Sequence, residues 1–267
     1  MRQSVALGDL TLAVERHGAG HPFIWGHGLT SSMQLEPELL SFDWQSFSSV
    51  VDVIRYDARG HGSSTLTAEL EGYSWERLAR DQLALADSLN VERYIAGGAS
   101  MGAGTALHAA VAAPSRVRAL VLVIPPTGWE TRDAQRELYL DRAQRIAEGK
   151  IDEVVAASHR LDPPGPFGAE WHERIERNTR SADHQQMAHV LRGAATADLP
   201  ARDLVAGISV PTLILAWSGD PGHPLSTAEE LRELINTSDL VVASTAEELA
   251  DWSRTIAEFL TSLSSAQ

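Results

Sequence analysis

The stretch from Arg93 to Gly104 constrains this chain more than any other. Tyr94-Ile95-Ala96 reads as a short apolar strand, Gly97 and Gly98 turn it, and an alanine-rich helix follows. Within it, Gly98-Ala99-Ser100-Met101-Gly102 fits G-x-S-x-G, a strand–turn–helix pattern that sets a serine on a sharp turn at the sheet edge. A turn that tight strains the serine's backbone and demands small residues two positions to either side. In return the hydroxyl projects at the N-terminus of a helix, whose dipole and free N–H groups favour negative charge. Five residues alone recur by chance in an Ala- and Gly-rich chain. The strand before, the helix after and Gly104, which leaves room for close helix packing, are what make the pattern informative. The competing reading is a serine that merely caps a helix after a glycine turn.

Around this stretch the chain alternates strands with helix-length segments. Val5–Leu7 and Leu10–Val14 read as antiparallel strands joined at Gly8-Asp9. Phe23-Ile24-Trp25 is a third strand, ending in Gly26-His27-Gly28-Leu29-Thr30. A polar, Trp-containing helical segment is expected around Met33–Phe47. Val50–Tyr56 is a nearly continuous apolar run, as a buried parallel strand should be, and ends in Asp57-Ala58-Arg59-Gly60-His61-Gly62-Ser63-Ser64. Tyr73–Leu89 is an amphipathic helix capped by Ser74, and the helix after Ser100 runs to Ala113, closed by Pro114. Ala119–Ile124 is the next strand. Such a rhythm implies a parallel sheet with right-handed crossovers. Pro125-Pro126 breaks it: from Thr127 to about Gly207 the sequence is charged, helical and strand-poor, with a proline-rich loop at 162–166. Strands return at Thr212–Trp217, followed by Ser218-Gly219-Asp220-Pro221-Gly222-His223-Pro224, and at Leu240–Ala243. A last helix is expected over Glu247–Leu263.

Composition excludes several function classes. A chain of 267 residues can bury a large core. Its net charge of −14 argues against nucleic acid or an anionic membrane as partner. There is no cysteine, so no disulfide, thiol nucleophile or Cys-ligated metal. The first residues lack the apolar run of a signal peptide and no stretch reaches membrane-spanning length, so a cytoplasmic protein is expected. No metal-ligand spacing, phosphate-binding glycine loop or dinucleotide fingerprint is present; the expectation is a cofactor-free and metal-free protein. Its expected partners are a small-molecule substrate and, at most, a second copy of the chain as a homodimer.

Taken in order, the Ser100 turn, His27-Gly28, the Asp57-x-Arg59-Gly60-x-Gly62-x-Ser64 turn and Gly219-Asp220 resemble the α/β-hydrolase superfamily over nearly the whole chain. The resemblance implies an α/β-hydrolase fold: a mostly parallel twisted sheet with helices on both faces and an inserted helical cap. Core residues would be 1–125 and 208–267, with 126–207 as the cap enclosing the substrate pocket. It implies that Ser100 is the nucleophile and that the backbone N–H groups of Leu29 and Met101 form the oxyanion hole. Asp220 stands where the family keeps its triad acid, the competing reading being an aspartate that caps the next helix. His27, Gly28 and Trp129 are expected at the pocket, and Trp25, Trp171 and Trp217 are further candidates for its wall. A serine nucleophile sets the chain apart from the dehalogenase and epoxide-hydrolase members, which need an aspartate.

One departure is sharp. The family order is serine, acid, histidine, with the histidine after the last strand. Here the segment Leu240–Trp252 contains none, and none of the ten histidines follows His223. His17 and His21 read as solvent-exposed, His27 and His61 as structural, and His108 as pointing away inside the helix after Ser100. His159, His172, His184 and His189 lie in the insertion. His223, three residues past Asp220, stands on the loop bordering the site. Three readings of the base stay open: His223, an insertion histidine, or no conventional base. Three functions stay open with them. The first is a serine-dependent hydrolase of small carboxylic esters or lactones with a rearranged Ser100, His223, Asp220 set. The others are a non-hydrolytic member and a catalytically silent protein that binds a small apolar ligand.

Overall fold

The computed structural model describes residues 2–265. Eight strands form one sheet: β1 (Arg2–Leu7), β2 (Leu10–His17), β3 (Pro22–Gly26), β4 (Asp52–Tyr56), β5 (Tyr94–Ala99), β6 (Val117–Val123), β7 (Thr212–Trp217) and β8 (Ser238–Ala243). Their spatial order is β1-β2-β4-β3-β5-β6-β7-β8. β1 and β2 pair antiparallel, as does β2 with β4, and every later pairing is parallel. The fold is the expected one, an α/β-hydrolase fold with helices on both faces of a mostly parallel sheet.

Because β4, β5 and β7 are covered on both faces, all their residues are buried, which is why they read as apolar runs rather than alternating ones. Side chains still alternate between faces. Ile24, Ala96, Leu122 and Ile214 point into one core, with α2 (Trp75–Ser88), α3 (Met101–Ala112) and α9 (Leu225–Leu234). Phe23, Trp25, Val121 and Leu215 point into the other, with α1 (Trp44–Ser48) and α11 (Trp252–Ser265). The polar segment after β3 is not one helix but a 3-10 turn, Glu36–Glu38, and the short α1. Pro37 sits in the first turn of the one, and the Asp43 carboxylate accepts from the Ser46 N–H to start the other. The expected last helix is likewise two, α10 (Ala246–Ala250) and α11, separated at Asp251 beside the buried Trp252.

Between β6 and β7 lie α4 (Arg132–Ala147), α5 (Ile151–Ser158), α6 (Glu170–Ser181), α7 (His184–Ala194) and α8 (Arg202–Ala206). α4, α5 and α7 build a small core of their own around Ala143, Ile146, Val154, Met187 and Leu191. Ala197, Leu199 and Val205, near the end of that stretch, belong instead to the large core. The fully buried Arg132 ties α4 to the end of α7 by donating to the Ala194 and Ala197 carbonyls, with its guanidinium 4.3 Å above the Trp75 ring. Among the described residues no helix is long and apolar enough to cross a membrane.

Candidate active site

The turn at Ser100 is built by interlocking backbone. Register sets Gly26 of β3 opposite Gly98 of β5, and α3 leaves the sheet so closely that a Cβ on Gly102 would lie 2.0 Å from the Gly26 carbonyl oxygen. One on Gly98 would lie 2.4 Å from the Gly102 backbone, and one on Gly104 2.6 Å from the Trp75 ring. The two glycines of the motif, and Gly104 beyond it, are thus explained by sterics. Ser100 itself has φ 52° and ψ −110°, the left-handed strain seen where the surroundings over-determine a functional residue. Its side chain makes no cap to α3, which removes the bland reading of a helix-capping serine.

Ser100 Oγ lies 2.8 Å from His223 Nε2, and His223 Nδ1 lies 2.8 Å from Asp220 Oδ2. A carboxylate only accepts, so Nδ1 carries the proton and Nε2 presents its lone pair to the serine hydroxyl. Asp220 is held by the Gly222 N–H at 2.8 Å and the Trp217 Nε1–H at 2.9 Å. It does not cap α9, whose N-cap is Pro224. Burial alone would raise the Asp220 pKa, but the charge and hydrogen bond of His223, with the Gly222 and Trp217 donors, hold it at about 2. The acid and the imidazole sit on one tight loop, with the His223 N–H returning to the Asp220 carbonyl at 3.1 Å. The structure therefore brings Ser100, His223 and Asp220 together.

The Gly28–Ser31 turn runs beside them: a Cβ on Gly28 would meet the Ser100 Cβ at 3.6 Å. Among the described residues neither the Leu29 nor the Met101 backbone N–H has a hydrogen-bond partner, so both remain free to donate to a bound group. A cavity of about 90 Å³ opens over Ser100, with Leu39, Leu40, Ile124, Trp171 and Trp217 as its apolar wall. Gly28 borders it as expected. His27 and Trp129 do not. His27 is buried behind the turn, its Nδ1–H donating to the Gly28 carbonyl and its Nε2 accepting from the Ala58 N–H; burial lowers its pKa to about 4 and keeps it neutral. Trp129 faces the other way, its indole N–H donating to the Pro200 carbonyl and its ring lying under Arg202. It anchors the end of the 127–202 segment rather than the pocket.

The remaining histidines stand apart from Ser100. His61 is buried, donates from Nδ1 to the Arg59 carbonyl and has its pKa pushed down to about 3, burial being the main cause. His108 bonds the Asp198 carbonyl, His172 that of Leu161 and His184 that of Thr179. His159 faces Glu176, and His189 meets the edge of Tyr73. His17 is exposed and His21 half-buried, so His21 departs from the exposed position expected for it.

Sequence reasoning missed the wall made by Leu39, Leu40 and Ile124, and Glu36 beside them. Ile124, at φ 42° just before Pro125, is a strained position with no sequence signal. The proline-rich loop brings its Gly165 N–H to the Ser218 carbonyl at 2.7 Å and seats Phe167 and Trp171 against Trp217. Among the described residues no three His, Asp or Glu side chains cluster as metal ligands would.

A sequence profile for the alpha/beta hydrolase fold matches residues 21–254. Two relatives from Acinetobacter baylyi are similar to this chain. 3-Oxoadipate enol-lactonase 1 is 29% identical over 206 residues, covering 74% of each chain. 3-Oxoadipate enol-lactonase 2 is 26% identical over 243 residues, covering 90% of this chain and 85% of its own. Among solved structures, the enol-lactonase from Burkholderia xenovorans superposes with a TM-score of 0.77 at 22% identity, over 97% of this chain and all of the other.

Proposed function

Because the chain belongs to the alpha/beta-hydrolase-fold family, we propose that it is a serine hydrolase of small carboxylic esters or lactones, working through an acyl-enzyme at Ser100. The observation that carries this is the unbroken chain of hydrogen bonds from Ser100 through His223 to Asp220, in the one tautomer that leaves Nε2 free to accept a proton. Relatives named as enol-lactonases agree with it.

In this reading the Ser100 oxygen attacks the substrate carbonyl while its proton passes to His223 Nε2. The oxyanion receives hydrogen bonds from the Leu29 and Met101 N–H groups, and losing one such donor costs about 3 kcal/mol of transition-state stabilisation. Collapse breaks the ester C–O bond, and His223 returns the proton to the leaving oxygen. Water then attacks the acyl-enzyme by the same route, giving acid and free serine. Asp220 keeps the imidazole oriented and stabilises the imidazolium. Residues 126–207 act as the cap, with Trp171 closing the pocket from that side.

The test is covalent labelling by a fluorophosphonate, read by intact mass, on wild type and His223→Ala in parallel. Fast labelling of Ser100 that is lost in the variant supports the reading. Fast labelling retained in the variant moves the base to another histidine, and no labelling of wild type defeats the proposal.

A further inference from the structure

Glu36 has no part in that chemistry, yet it stands in the wall of the Ser100 cavity, 3% exposed. Its Oε1 accepts from the Trp25 indole at 2.8 Å and its Oε2 from Arg55 at 3.1 Å. Among the described residues that border the cavity there is no arginine or lysine; besides His223, Glu36 is the one ionisable side chain. The Arg55 guanidinium behind it is shared, since Glu15 approaches at 3.7 Å, so two carboxyl groups face one cation. Across the Gly28–Ser32 turn a wider cavity of about 400 Å³ is bordered by one cation, Arg2, and two carboxylates, Asp57 and Asp183. Burial pushes the Glu36 pKa up while Arg55 and Trp25 pull it down; with one oxygen on the Arg55 guanidinium and the other on the Trp25 N–H, the group is read as a carboxylate that brings negative charge to the wall.

From this arrangement we infer that the site takes small uncharged acyl groups and discriminates against substrates carrying a carboxylate, with Glu36 as the residue that sets the preference. The inference rests on the serine-hydrolase reading above. Size follows from the space at Ser100, about 90 Å³, room for a short acyl chain rather than a long or bulky one. Sign follows from low dielectric, where an uncompensated charge in the pocket finds neither water nor a cation to repay its desolvation. A chain of net charge −14 also repels anions on approach. Substrates built on dicarboxylates, as 3-oxoadipate is, fall in the disfavoured class.

Dimethyl succinate and its monomethyl hemiester share one skeleton and differ by one charge. The experiment measures kcat/KM for both at pH 8 and low salt, each divided by its hydroxide-catalysed rate to remove intrinsic reactivity. Wild type should favour the diester by at least about tenfold. Glu36→Gln, which keeps an acceptor for the Trp25 N–H and removes the charge, should narrow that ratio severalfold, and Glu36→Asp should restore part of it. Equal turnover or a hemiester preference in wild type overturns the inference without touching the proposed mechanism. So does turnover of neither ester while fluorophosphonate still labels Ser100. A ratio unmoved by Glu36→Gln in a folded variant overturns the assignment to Glu36. Failure of Ser100 to label at all overturns the underlying reading and this inference with it.

Discussion

The turn at Ser100 and the loop from Ser218 to Pro224 meet at one hydrogen bond, yet they are specified in different ways. At Ser100 the backbone of β3, β5 and α3 approaches so closely that Gly98 and Gly102 leave no space for a Cβ. At the loop no neighbouring backbone excludes a Cβ, although Gly219 holds φ 75°: Asp220 and His223 converge because two side chains reach far enough, supported by the Gly222 and Trp217 donors. Steric exclusion tolerates one residue type and therefore writes a pattern. Side-chain reach tolerates any loop that aims an imidazole at the serine. That is how an imidazole can reach Ser100 from three residues past Asp220, while the β8–α10 connection is only Ser244-Thr245, closed by the Thr245/Glu248 capping box.

The largest effects test whether the two regions act as one machine. Ser100→Ala and His223→Ala should each lower kcat by about 10⁴-fold or more, and the double variant should be no worse than either alone. Additive losses, or a His223→Ala enzyme that keeps most of its rate, would separate the loop from the turn. Asp220→Asn should cost about 10³- to 10⁴-fold in kcat, because an amide nitrogen facing Nδ1 favours the tautomer with its proton on Nε2. Measuring the folded fraction of each variant ensures that kcat reports chemistry.

On stability the contrast should reverse. Gly102→Ala drives a methyl group into the Gly26 carbonyl and should lose ~3 kcal/mol or more, read from urea midpoints. Gly222→Ala would set its Cβ 3.2 Å from the Asp220 carboxylate, a side chain that can give by a few tenths of an ångström, and should lose less than ~1 kcal/mol. Similar costs at the two glycines would contradict the distinction between backbone exclusion and side-chain adjustment.

The same distinction explains what was legible in the sequence. The sheet was, because strands buried on both faces read as largely apolar runs, and so was Ser100 with its glycines. The Arg59–Asp81 ion pair and the Asp57 carboxylate that accepts from the Met33 and Ser63 N–H groups hold the second turn, whose glycines also showed. The pocket wall was legible only in part, at Trp171 and Trp217. Leu39, Leu40 and Ile124 are ordinary apolar residues whose position depends on tertiary packing, and Trp129 looked as well placed as Trp171. The position of His223 beside Ser100 was legible only as one of three readings, since nothing local distinguishes an imidazole that reaches Ser100 from one that does not.

Histidines carry the next prediction. His27 and His61 are buried neutral, with pKa values of about 4 and about 3 against an ordinary 6.5. Their folded pKa values lie below the unfolded one, so the unfolded chain takes up protons first as pH falls. Stability should therefore be full above pH 6.5 and decline below it, at up to about 1.4 kcal/mol per pH unit for each histidine, until about pH 4 for His27 and 3 for His61. Asp220, with its pKa lowered, adds to the loss only below its unfolded value of 3.8. Urea midpoints at pH 7, 5.5 and 4.5 measure this. A flat profile between 6.5 and 5 would mean that the two rings are charged in the fold, and that the region behind the turn is as adjustable as the loop.

The smallest effect probes how much of the loop's precision comes from the aromatic residue beneath it. The Trp217 indole donates to Asp220, its ring meets His223 at 6.0 Å between centroids, and it stacks on Trp252 at 6.1 Å. Trp217→Phe keeps a ring against its neighbours and removes the N–H. Losing one hydrogen bond to a carboxylate is worth about 1.5–3 kcal/mol when nothing replaces it. Asp220 retains the Gly222 N–H and His223, so kcat should fall by about tenfold or less, far short of Asp220→Asn. The Asp220 pKa should rise from about 2, because one of the donors that offsets burial is gone. A loss approaching that of Asp220→Asn would show that the loop depends on a rigid support as strictly as the turn does on its glycines, and the two regions would then differ in material rather than in tolerance.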